Sequence, residues 1–102
     1  MTERIAIASE EKNKDSEISF RGGRAPYYLI FENNELKEII KNPFAVGGGG
    51  AGFSVAYMLA DKKIDLVIAG RIGSNMEAAL KQKNIKFKEI SGKVKEYIEK
   101  QL

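Results

Sequence analysis

At 102 residues the chain has the length of one domain able to bury a single core, so residues 1–102 are read as one unit. It contains no cysteine and no histidine, which excludes a disulfide framework, thiolate metal coordination and the imidazole that most often serves as metal ligand or general base. Seventeen Lys and Arg against fourteen Asp and Glu leave a formal net charge of +3, too mild to point to nucleic acid, and no apolar run is long enough for a leader or a membrane span, so the expectation is a cytoplasmic monomer with neither nucleic-acid nor membrane partners.

Ile5-Ala6-Ile7-Ala8 is a short apolar strand, and the polar stretch Ser9 to Ser19 after it reads as a long loop or mobile flap. Tyr27 to Glu32 is rich in aromatic and branched residues, and Asn33-Asn34, which tolerate positive φ, turn it into Glu35 to Ile40 as a β-hairpin. Asn42-Pro43 stops the second arm. Phe53 to Lys63 predicts a helix that is apolar nearly all round and therefore largely covered. Asp65 to Ala69 follows as a buried parallel strand. Ser74-Asn75-Met76-Glu77 fits a capping box opening a helix to Lys83, with Asn84 at its left-handed end. Ile85 to Ile90 alternates as an edge strand, and Gly92 to Leu102 predicts a helix with Val94, Tyr97 and Ile98 on one face. The seven lysines and three glutamates of residues 81–102 alternate as on a solvated surface.

The order is βββαβαβα. Antiparallel pairing of the first three strands and right-handed crossovers to the last two predict a five-stranded mixed sheet in the order 3-2-1-4-5, with three helices. The loops after strands one, three and four then meet at one sheet edge, where open α/β sheets bind ligands.

Gly47-Gly48-Gly49-Gly50-Ala51-Gly52-Phe53 occupies the second of those loops. Glycines let backbone N–H groups turn toward one point, and a helix opening near Phe53 adds free donors and positive potential, which suits an anion. Gly47 and Gly52 have P-loop spacing, but Phe53-Ser54 replaces Lys-Ser, so that motif fails. Gly47, Gly49 and Gly52 match a dinucleotide pattern without the acidic residue at the end of the next strand, since Asp65 begins it. Three of the four arginines, Arg21, Arg24 and Arg71, lie in the other two loops, and their fork geometry suits carboxylate or phosphate. Pairing with acids such as Asp15 or Glu17 is the plain structural alternative.

Ile18-Ser19-Phe20-Arg21-Gly22-Gly23-Arg24-Ala25-Pro26-Tyr27-Tyr28, then Gly49-Gly50-Ala51-Gly52, then Ile68-Ala69-Gly70-Arg71-Ile72-Gly73-Ser74-Asn75 resemble, in the same order, the dinitrogenase iron-molybdenum cofactor biosynthesis family. That family includes NifX, the core of NafY and the C-terminal part of NifB. The resemblance spans nearly the whole chain and implies a ribonuclease H-like α/β fold related to nitrogen fixation. It also implies non-catalytic binding or carriage of iron-sulfur or iron-molybdenum-type clusters or their precursors, with donor or acceptor proteins as partners. Relatives often read Ser-Pro-His-Phe-Gly-Arg where this chain has Ser19-Phe20-Arg21-Gly22-Gly23-Arg24, so the histidine position is Arg21 and the aromatic position Gly22. With neither His nor Cys, only oxygen donors, the thioethers Met58 and Met76, and backbone groups remain as ligands, and a cluster would be held as an anion.

The expected cofactor-binding set is Arg21, Arg24, Gly47, Gly48, Gly49, Gly50, Arg71, Ser74 and Asn75. A phosphorylated-metabolite or nucleotide module using the same loop is the alternative. Nuclease chemistry, which the ribonuclease H-like topology raises, lacks clustered carboxylates on the first strand, and Ser54 and Ser74 have no base beside them, so no catalytic residue is assigned.

Overall fold

The structure, a computed structural model, describes residues 3–47 and 50–100. Its elements run β1 (Arg4–Ser9), β2 (Tyr27–Glu32), β3 (Glu35–Lys41), α1 (Ala51–Asp61), β4 (Leu66–Ala69), α2 (Ser74–Gln82), β5 (Lys86–Glu89) and α3 (Val94–Glu99). The sheet order is β3-β2-β1-β4-β5, with β2 antiparallel to β1 and β3 and with β4 parallel to β1 and β5, as the element order predicts.

Alternation along the strands divides the core in two. Ala6, Ala8, Tyr28, Ile30, Val67 and Ala69 face α1 and α2, meeting Val55, Ala56, Leu59, Met76, Ala79 and Leu80. Ile5, Ile7, Leu29, Phe31, Leu66 and Ile68 face α3, meeting Val94, Tyr97 and Ile98. Because both faces are covered, the central strands read as continuous apolar runs. Asn33 and Asn34 both take positive φ, 54° and 64°, and make the hairpin turn the sequence predicts. One feature of that hairpin lies outside the prediction: Ile30 pairs with Glu38 but Phe31 pairs with Leu36, so Lys37 is an extra residue that bulges β3.

Four local expectations are corrected. Helix α1 starts at Ala51, two residues before Phe53, because Gly50 takes φ 84° and ends the preceding turn. Its outer face is open rather than covered, with Phe53 38% and Tyr57 42% exposed. Ser74 is the first helical residue of α2, not its cap. The cap is Gly73, without a side-chain hydrogen bond, and Glu77 N–H donates to the Gly73 carbonyl at 2.9 Å. The polar stretch after β1 is tethered rather than a free flap: Ile18 N–H donates to Gly92 O and Ser19 N–H to Ala8 O, each at 2.8 Å, and buried Ser16 Oγ accepts from Glu11 N–H at 2.9 Å. Apolar surface could not hold this run, but backbone pairing does.

Candidate functional site

The loops after β1, β3 and β4 meet, and glycines set how closely. Gly22 N–H donates to the Arg71 carbonyl at 3.0 Å, giving a parallel Arg21–Arg71 bridge, and Gly70 N–H donates to Ser19 O at 2.8 Å. A Cβ on Gly52 would stand 2.9 Å from Met76 N, so the first turns of α1 and α2 touch backbone to backbone. Gly52 therefore serves packing between two helices rather than approach to a ligand.

Asn42 locks the first loop to the turn before the glycines. Its Nδ2 donates to Ala25 O at 2.9 Å and Gly23 O at 3.2 Å, and its Oδ1 accepts from Phe44 N–H at 3.0 Å. Arg24 works on the same turn, its Nη1 donating to Gly47 O at 3.0 Å and Phe44 O at 3.4 Å. Beneath them the Tyr28 hydroxyl donates to the Gly22 carbonyl. Complete burial pushes that phenol above its ordinary range, since the phenolate would lose its hydration.

This scaffold holds a cleft of about 550 Å³ lined by Arg21, Arg24, Pro26, Tyr27, Lys41, Asn42, Pro43, Ala45 and Val46. Among the described residues three cations line it and no carboxylate does. Arg21 and Lys41 are exposed and form no side-chain hydrogen bond or ion pair among the described residues. Asp15, one of the acids weighed as a partner for the arginines, pairs with Lys95 at 3.1 Å instead.

The predicted residues do not all share this cleft. Arg71 and Ser74 line a neighbouring one of about 660 Å³, where Glu77 and Glu89 oppose the arginine and Glu89 Oε2 accepts the Ile72 N–H at 2.8 Å. Arg24 and Arg71 thus line different clefts. Gly47 ends the turn with φ 131°, and Gly50 precedes α1. Gly48 and Gly49 lie outside the described residues. Asn75 is exposed in the first turn of α2 and lines neither cleft. Met76 is only 1% exposed in the core, which removes it as a thioether ligand, and Met58 packs half-buried against the same core.

Sequence reasoning missed Tyr27, Lys41 and Asn42. The Asn42-Pro43 pair was a usable signal, since Asn before Pro favours turn initiation, yet it reads equally well as a strand stop. Lys41 carries no local signal at all: it reaches the cleft because it pairs with Tyr27 across the hairpin.

Comparisons with known proteins agree with this architecture. The structure matches the apo form of the orange protein from Desulfovibrio gigas with a TM-score of 0.87 at 24% identity, covering 96% of this chain and 85% of that one, a likeness of fold. It matches a Thermotoga protein given a provisional NifB designation, solved by NMR, with a TM-score of 0.79 at 31% identity over 95% of this chain and 84% of that one. No curated protein matches the sequence. The family model for the dinitrogenase iron-molybdenum cofactor matches residues 3–102, and the chain belongs to that family.

Proposed function

We propose that the protein binds and carries, without turnover, an anionic iron-sulfur or iron-molybdenum-type cofactor or a precursor of one. The cargo sits at the edge where the first and second loops meet. The observation that carries this reading is the cleft holding Arg21, Arg24 and Lys41 with no acid in its lining. Family membership over residues 3–102 supplies the cargo class. The composition supplies the mode: with no Cys or His in the sequence, and no cluster of three or more acidic side chains suited to a metal among the described residues, charge and hydrogen bonding do the holding. The Arg71 cleft is the weaker candidate, because Glu77 and Glu89 offset its single cation.

Anaerobic reconstitution with iron and sulfide, with and without molybdate, followed by desalting and metal analysis, tests the reading. The wild-type chain should retain metal and colour. Arg21→Gln should weaken retention roughly 10- to 100-fold, since a hydrogen bond to a charged group is worth about 1.5–3 kcal/mol. Equal retention by both chains, or stabilisation by nucleotides in air with no retention of metal, would overturn it.

A further inference from the structure

At the edge of the sheet opposite β3, among the described residues no strand or bridge pairs with the free side of β5. Its register with β4 is unbroken from Leu66↔Lys86 to Ala69↔Glu89, so this edge has no bulge of the kind that interrupts β3. Lys86 N–H donates to Asp65 O at 3.1 Å and Ile90 N–H to Ala69 O at 2.8 Å. In a parallel ladder alternate residues turn their backbone groups to opposite sides, so those of Phe87 and Glu89 point outward, where an added strand would meet them.

The side chains alternate as well. Lys86 and Lys88 pair with Leu66 and Ile68 and so stand, exposed, on the α3 face, while Phe87 pairs with Val67 and packs half-buried against the α1 and α2 core. Lys93 and Lys100 extend the cationic side past the end of β5, where they line a small cavity with Ile90 and Ser91. The acid in that lining, Glu96, takes the Lys93 N–H at 2.8 Å. None of these four lysines has an ion pair among the described residues. A second copy of β5 added antiparallel would set lysine beside lysine, which like-charge repulsion across strands disfavours. A strand with carboxylates on that face and apolar residues on the other is matched on both.

We propose that the free edge of β5 is a docking site for an extended acidic segment of another protein, added to the sheet as a further strand. Its carboxylates lie toward Lys86 and Lys88 and its apolar residues toward Phe87. The same lysines close the edge to a further copy of this chain and open it to a strand of opposite charge.

The test is an NMR titration of the isotope-labelled full chain with the end-blocked peptide Thr-Glu-Val-Glu-Val-Glu-Thr. The Phe87 and Glu89 amides should shift and gain protection from exchange, whereas the Lys86 amide, already bonded to Asp65 O, should gain little protection. Two N-methylated forms, one methylated on every Val and the other on every Glu, separate a backbone ladder from charge alone. Only one set of amides can face β5, so one form should bind at least about tenfold more weakly than the other. Lys86→Glu combined with Lys88→Glu, both at exposed positions, should weaken the acidic peptide by about tenfold and make the chain bind the basic counterpart Thr-Lys-Val-Lys-Val-Lys-Thr instead. No shift at Phe87 and Glu89, equal affinity for the two N-methylated forms, or a charge-reversed variant that does not exchange one peptide for the other overturns the proposal. So does an oligothymidylate of equal charge that moves the same amides as strongly, because the edge would then accept any polyanion.

Discussion

Replacing Asn42 by alanine should be among the costliest single changes near the site. The side chain is 4% exposed and makes three hydrogen bonds, two donated to Ala25 O and Gly23 O and one accepted from Phe44 N–H. At about 0.5–1.5 kcal/mol net each, with a further penalty for partners left unsatisfied, Asn42→Ala should lose roughly 2–4 kcal/mol. In urea, with a slope near 1–1.5 kcal/mol/M for a chain of this size, the unfolding midpoint should fall by about 2 M with the slope unchanged. Asn42→Asp separates donor from acceptor. It keeps the acceptor for Phe44 N–H but turns a carboxylate toward two carbonyl oxygens, so it should be worse than alanine at pH 7. The folded carboxyl pKa would then lie above its unfolded value, and stability should recover as pH falls through that folded pKa. A midpoint shift below about 0.5 M for Asn42→Ala would refute the view that this side chain joins the two loops.

Gly52→Ala places a Cβ 2.9 Å from Met76 N, against backbone that cannot move without parting α1 from α2, and should cost about 1–3 kcal/mol, read as a loss of thermal midpoint in calorimetry. Tyr28, with its phenol pushed above the ordinary value of 10.0 by complete burial, should stay protonated at pH 11 in the folded chain. Because the folded pKa is the raised one, its contribution to stability is complete below pH 10 and is lost as pH climbs toward the folded value. Absorbance at 295 nm should therefore report fewer tyrosinates before alkaline unfolding than after it, and equal values would count against the burial argument. In hydrogen exchange the Ile18 and Ser19 amides should be protected like strand amides while those of Lys12 and Asn13 exchange quickly; uniform fast exchange from 10 to 19 would restore the free-flap reading.

The fold was legible because its signals are local and repeated. Asn33-Asn34 can make little other than a tight turn, and Leu66 to Ala69 can satisfy its apolar run only inside a sheet covered on both faces. Chain order with handedness then left one topology, and the meeting of three loops followed from it. The site was less legible because its members act through partners distant in sequence. Arg24 reads as a ligand-binding cation, yet its Nη1 is engaged on carbonyls 20 and 23 residues away. Ser74 satisfies the capping pattern by residue type, but Gly73 already lies in extended backbone and supplies the carbonyl that Glu77 needs. The glycines announced close approach correctly while leaving open what approaches: at Gly52 it is the next helix.

The extra residue in β3 bears on how this molecule keeps its own company. β3 is the outermost strand of the sheet, and the hydrogen-bonding groups along its free side are a template for any extended chain. Leu36 and Ile39 are exposed along it, one on each side of Lys37, so a straight strand there would present a continuous apolar-lined ladder. The bulge kinks that ladder at its middle, and Glu35, Lys37, Glu38 and Lys41 add charge of both signs along it. An incoming strand can pair on one side of the interruption or the other, but not along the whole edge. Deleting Lys37 would restore the two-residue alternation and should make concentrated solutions scatter light, converting a strand that ends its sheet into one that can extend it.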